Sequence, residues 1–139
     1  MNEFDQWVKH ELKIKNYVRY TDDFILLSDT RSYLEGLLPS IEQFLHDNLS
    51  LTLHPNKTTI RPFHQGTDFL GYIIFPHHRL VRTRTKQRMI RRLRMRMQEY
   101  YDGVGEVDSL HQSLQSYLGV LSHANTCTLS NMLKNQFWV

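Results

Sequence analysis

The chain has 139 residues, enough for one modest domain or two small subdomains sharing a core, and its 40% hydrophobic and 12% aromatic content is that of a folded globular protein. No apolar run approaches the roughly 20 residues needed to span a bilayer, and the opening Met1-Asn2-Glu3-Phe4-Asp5 lacks the basic and apolar segments of a secretion signal. The single cysteine, Cys127, rules out an internal disulfide and is read as a small buried apolar side chain in a cytoplasmic protein with no membrane partner.

The net charge of +3 conceals a strong asymmetry. Arg79, Arg82, Arg84, Lys86, Arg88, Arg91, Arg92, Arg94 and Arg96 follow one another with no intervening Asp or Glu, whereas Glu99 to Asp108 is acidic. A basic block of this kind predicts a polyanionic partner, most simply nucleic acid.

Phe4, Trp7, Val8 and Leu12 recur at helical spacing, which predicts a helix over residues 4–13. The stretches Tyr17-Val18-Arg19-Tyr20 and Phe24-Ile25-Leu26-Leu27 are rich in β-branched and aromatic residues, with only Thr21-Asp22-Asp23 between them. They predict a β-hairpin with two aspartates at its tip. A helix follows, capped by Ser28, Asp29 or Thr30, with an apolar stripe from Tyr33 to Leu45; Pro39 predicts a kink or a division into two helices. Leu49, Leu51 and Leu53 alternate with polar residues as a strand would, His54-Pro55-Asn56-Lys57 forms a turn, and Thr58-Thr59-Ile60 resumes extended structure.

Beyond a turn at His64-Gln65-Gly66, the apolar run Phe69 to Phe75, a turn at 76–79 and a return strand from Leu80 to Thr83 predict a second hairpin. From Thr85 the pattern is helical: one helix to about Tyr101, a break at Gly103 and Gly105, then one or two more helices to the C-terminus. The fold class is therefore α+β, with an α+β portion to residue 84 and an all-α portion over 85–139. His123 and Cys127 stand four apart on an expected helix without a second ligand pair, so no zinc site is expected there.

Adjacent carboxylates at a strand turn raise each other's cost of ionisation. A divalent ion offsets that cost; Mg²⁺ commonly takes one or two carboxylates plus water and phosphates, and a pair of ions about 3.5–4 Å apart supports phosphoryl transfer. The competing reading makes Asp22 and Asp23 ordinary polar turn residues.

Tyr20-Thr21-Asp22-Asp23 resembles the Tyr-x-Asp-Asp box of reverse transcriptases, which are RNA-directed DNA polymerases. The wider stretch from Tyr17 to Phe24 is similar to the bacterial group II intron-like and diversity-generating retroelement enzymes. The resemblance implies that residues 1–84 are the distal part of a polymerase palm, with antiparallel strands and helices on one side, and that residues 85–139 are a helical thumb. It implies that Asp22 coordinates the catalytic Mg²⁺ ions, that Asp23 supports the metal site less directly, and that Tyr20 lies near the primer terminus.

Leu53-His54-Pro55-Asn56-Lys57-Thr58 resembles the lysine-bearing motif of the same polymerases, making Lys57 the general acid for departing pyrophosphate; otherwise it is an exposed turn lysine. Phe69-Leu70-Gly71-Tyr72 resembles the primer-gripping hairpin, with Gly71 permitting close approach of a backbone; Gly71 also suits a bulge in a buried strand. Arg84, Lys86, Arg88, Arg91, Arg92 and Arg96 fall largely off the face formed by Ile90, Leu93, Met97, Tyr100 and Tyr101, and would meet phosphates of an RNA template and DNA primer. Residues 116–125 are similar to the thumb.

The family places fingers, a first metal-binding Asp and a nucleotide-selecting strand before the helix at the start of this sequence, and Asp5, on that helix, does not replace the Asp. The two-ion site is thus expected to be incomplete and the isolated chain inactive, with an upstream polypeptide as the missing partner. A non-catalytic, maturase-like RNA-binding module and a remnant without a stable fold are the alternatives.

Overall fold

The computed structural model describes residues 1–138. Two compact units divide the chain, Met1–Arg61 and Pro62–Val139.

In the first unit, the helical spacing of Phe4, Trp7 and Val8 produces helix α1, Asn2–Gln6, which runs directly into a π-helical stretch, Trp7–Glu11. The wider turn there is closed by the Leu12 amide donating to the Trp7 carbonyl at 3.1 Å. Strands β1, Tyr17–Tyr20, and β2, Asp23–Leu26, form the expected antiparallel hairpin and, among the described residues, pair only with each other. Helix α2, Arg31–Leu49, is continuous through Pro39. Proline removes the donor to the carbonyl four residues back, on Glu35, but both residues are exposed, so water can satisfy it and the expected division does not occur.

Leu37, Ile41 and Leu45, four apart, bring one face of α2 onto Phe4, Val8 and Ile14, and these six residues are the core of the unit. The expected strand through Leu49, Leu51 and Leu53 is absent. Leu49 ends α2, Ser50 caps it in the left-handed region (φ +52°), and no strand occurs over residues 50–62. Leu49 and Leu53 pack against the helical core instead of pairing in a sheet, which also leaves Thr58-Thr59-Ile60 without a strand partner.

In the second unit, β3, Thr67–Phe69, β4, Tyr72–Ile74, and β5, Arg79–Val81, form a three-stranded antiparallel sheet in chain order. The apolar run from Phe69 to Phe75 is therefore two strands rather than one, divided by a tight turn at Leu70 and Gly71. Helices α3, Thr83–Tyr101, α4, Val107–Ser122, and α5, Cys127–Phe137, follow. Met89, Leu93, Leu110, Leu114, Leu121, Leu133 and Phe137 form the helical core, and each fully buried leucine contributes about 1.5–3 kcal/mol. Val81 packs on this cluster, and Asn125 donates its amide to the Arg79 carbonyl at 2.8 Å. The sheet thus belongs to the same compact unit as the helices, and α3 begins at Thr83.

Cys127 is exposed rather than buried, as the first residue of α5. The expectation of helix to the C-terminus falls, at Val139, outside the described residues. Among the described residues no helix is long and apolar enough to cross a membrane.

Candidate nucleic-acid interface and aspartate hairpin

The register of the first hairpin sorts its side chains. Tyr17 faces Leu26 and Arg19 faces Phe24 on the packed side, while Val18 faces Ile25 and Tyr20 faces Asp23 on the other. The packed side is fixed by aromatic contacts: Phe4 lies 5.0 Å from Phe24 and 6.1 Å, edge-on, from Tyr17 between ring centroids. On the open side Tyr20 is 58% exposed beside Asp23.

Asp23 is the first residue of β2, so the turn contains only Thr21 and Asp22. Thr21 adopts φ +52°, a conformation that β-branched residues avoid and that costs about 1–3 kcal/mol. Asp22 and Asp23 are exposed, and no hydrogen bond or ion pair engages either carboxylate among the described residues. Among the described residues no group of three or more His, Cys, Asp or Glu could hold a metal; the two aspartates stand as a pair. Two hard, solvent-facing carboxylates with no cation of their own suit Mg²⁺, which completes its shell with water and phosphate oxygens.

Beneath the turn lies a residue that the sequence did not mark. The Asp5 carboxylate on α1 accepts from the Tyr17 hydroxyl at 2.6 Å and from Arg19 Nε at 2.7 Å, and forms an ion pair with Arg19 Nη2. Arg19 Nη1 in turn donates to the Thr21 carbonyl at 2.7 Å. The Arg19 hydrogen bonds hold the Asp5 carboxyl well below the usual carboxylate range against the opposing effect of burial, and the Tyr17 hydroxyl adds to them. Burial, with the bond to Asp5, pushes the Tyr17 phenol above its ordinary value. Nothing local signals this arrangement, since Asp5 and Arg19 are separated by 14 positions.

Lys57 lies exposed in the loop after α2, whose turn is closed by the Lys57 and Thr58 amides donating to the His54 carbonyl at 2.9 and 3.0 Å. No hydrogen bond or ion pair joins it to the aspartates among the described residues.

In the second unit, Leu70 and Gly71 both have positive φ, +52° and +86°, the backbone of the tight turns that suit a twisted hairpin. Gly71 is therefore a turn residue rather than a bulge. Its carbonyl accepts from the Arg82 amide at 2.9 Å, and the Tyr72 hydroxyl donates to the Val120 carbonyl at 2.9 Å. Arg82 is bound to Asp68, and Arg96 pairs with Glu99 at 3.1 Å.

Arg84, Lys86, Arg88, Arg91, Arg92 and Arg94 are exposed, with no acidic partner among the described residues. Helix α3 carries an open groove lined by Gln87, Ile90, Arg91, Arg94, Met95 and Gln98. Arg94, not among the six basic residues expected to meet phosphates, adds a guanidinium to the groove that Arg91 lines. Tyr20, Asp22 and Asp23 thus meet at one turn, Lys57 sits on a separate loop of the same unit, and Gly71, Tyr72 and the basic side chains belong to the other unit.

The family described as reverse transcriptase (RNA-dependent DNA polymerase) matches residues 1–74. The chain belongs to it. The chain is similar to the group II intron-encoded protein LtrA of Lactococcus lactis subsp. cremoris, with 35% identity over 63 residues, 45% of this chain and 10% of that protein. It is 35% identical over 71 residues, 50% of its length, to protein YkfC of Escherichia coli K12, of which the match is 17%. It therefore spans a small part of the curated relatives it matches. The aspartate hairpin lies within the matched stretch, and the basic helix lies after it.

Proposed function

We propose that this chain supplies the second half of a two-metal nucleotidyl-transfer site in an RNA-directed DNA polymerase, together with a surface that holds the template-primer duplex. The observation that supports it is the exposed, unpaired Asp22–Asp23 couple on a strained turn, in a member of the reverse transcriptase family. In this reading residues 1–84 are the distal palm and 85–139 the thumb. Asp22 would hold Mg²⁺ with Asp23 in support, and the bound ions would activate the 3′-hydroxyl and stabilise the leaving oxygen. Tyr20 lies against the primer terminus, Lys57 gives a proton to the departing pyrophosphate, and Gly71 and Tyr72 contact the primer strand. Arg84, Lys86, Arg88, Arg91, Arg92 and Arg96 neutralise phosphates, which gives affinity without sequence preference.

An upstream polypeptide with fingers and the first metal-binding Asp would complete the site, in the cytoplasm. The test is primer extension on an RNA template with Mg²⁺. The 139-residue chain is expected to bind template-primer without extending it, to gain extension when the upstream portion is added, and to lose that gain in Asp22→Ala. Extension by the isolated chain, abolished by Asp22→Ala, would overturn the inactivity of this half.

A second reading, a non-catalytic RNA-binding module of the maturase kind, is favoured by the six basic side chains on α3 that have no acidic partner among the described residues. Salt-sensitive RNA binding unchanged by Asp22→Ala, with no extension under any complementation, would select it.

A further inference from the structure

We infer that Asp5 and Arg19 are positioning residues that fix the peptide leading into Asp22, so that the carboxylate is presented in one orientation before any metal arrives. The inference rests on the reading of Asp22 as a metal-holding residue.

The Thr21 carbonyl belongs to the peptide unit that joins Thr21 to Asp22. A β-branched residue at φ +52° does not keep that unit in place by its own preference. Arg19 does so from outside the turn, through the Nη1 bond of 2.7 Å to the Thr21 carbonyl. The guanidinium can aim Nη1 there because its opposite edge, Nε and Nη2, is already locked to both oxygens of Asp5. Asp5 is anchored by α1, whose neighbouring Phe4 is fully buried in the core, and by the Tyr17 hydroxyl.

The arrangement is a relay from a rigid helix, through a planar fork, to one backbone carbonyl. Lysine cannot reproduce it, because a single ammonium lacks the fork that binds a carboxylate on one edge and a carbonyl on the other. An ordinary ion pair bracing α1 against β1 would need only the Asp5 edge, and the third bond would serve no purpose. With both aspartates otherwise unheld, the Arg19 bond is the only side-chain hydrogen bond to the turn among the described residues.

The test uses the full chain, with Arg19→Lys, Asp5→Asn and Tyr17→Phe, and reads backbone ¹⁵N relaxation together with Mn²⁺-induced broadening of the tip amides. Arg19→Lys and Asp5→Asn are expected to mobilise Thr21 and Asp22 while the amides of Val18 and Ile25 stay ordered. They are also expected to weaken Mn²⁺ binding about tenfold, the effect of one charge-assisted hydrogen bond. Tyr17→Phe should leave the tip ordered, since the Arg19 edge still holds Asp5. Unchanged tip order in both Arg19→Lys and Asp5→Asn would overturn the inference. So would loosening spread evenly over the hairpin, or loss of the fold in Arg19→Lys, either of which would make the pair a structural brace. Absence of Mn²⁺ broadening in the unsubstituted chain would instead remove the metal-holding reading, and tip mobility would still decide for or against the clamp.

Discussion

The hydroxyl of Tyr72 donates to the carbonyl of Val120 across 48 positions of sequence, tying the turn-proximal end of β4 to helix α4. A residue expected from sequence to touch the primer strand thus already spends its polar atom inside its own unit.

Removing that hydroxyl tests the division of labour. Tyr72→Phe is expected to lower stability by about 0.5–1.5 kcal/mol, because the Val120 carbonyl is left with one partner fewer. Affinity for template-primer should stay within about twofold, since stacking by the ring is preserved. Urea titration and fluorescence anisotropy check the two halves separately.

Binding through α3 should weaken steeply with salt. Arg91→Ala and Arg94→Ala, in the groove, are each expected to reduce the slope of log K against log salt by about 0.7–0.9, the share of a single phosphate. Arg82→Ala should behave differently, because its guanidinium is engaged by Asp68: stability changes and the slope does not. A full slope change in Arg82→Ala would show that the pair opens on binding.

Acid should destabilise the first unit through Asp5. Its folded-state pKa is depressed, so the unfolded chain takes up the proton first as pH falls. The stabilisation is present above the ordinary aspartate value of about 3.9 and is lost below it. Tyr17 acts with the opposite sign: its raised pKa gives stability that is present below about pH 10 and is lost above that. Urea midpoints followed from neutral pH downward should show a flatter acid limb for Asp5→Asn than for the unsubstituted chain.

Gly66 sits at φ +81° where the 3₁₀ turn Phe63–Gln65 enters β3, and a Cβ there would come within 2.7 Å of Ile73 Cγ2 and 2.8 Å of the Phe75 ring. Gly66→Ala is expected to cost about 1–3 kcal/mol through backbone strain and overpacking. Gly36→Ala, with open space around its Cβ on the exposed side of α2, should instead be neutral or stabilising. Thermal unfolding of the two variants gives the comparison.

The features legible in sequence were those that local chemistry determines. The aspartate hairpin showed itself through β-branched and aromatic strands around two acidic residues, and α3 to α5 through long apolar periodicity. The expected strand at Leu49, Leu51 and Leu53 failed because alternation over so few residues also fits a helix end followed by a chain lying on the core. The Leu70–Gly71 turn was hidden by Leu70, an apolar residue at φ +52° that turn chemistry does not favour. Asp5 carries no local mark of its role, because that role depends on β1 folding back against α1.

Among the described residues the two strands joined by the Thr21–Asp22 turn pair only with each other, so neither has a second strand neighbour along its outer edge. Edges of this kind invite association between copies, and charge near them is a common safeguard. Two exposed carboxylates at the turn make two such ribbons repel when they approach tip to tip. Neutralising both carboxylates removes that repulsion, so a doubly substituted chain that binds nothing must first be shown to be monomeric before its silence is attributed to a lost metal site.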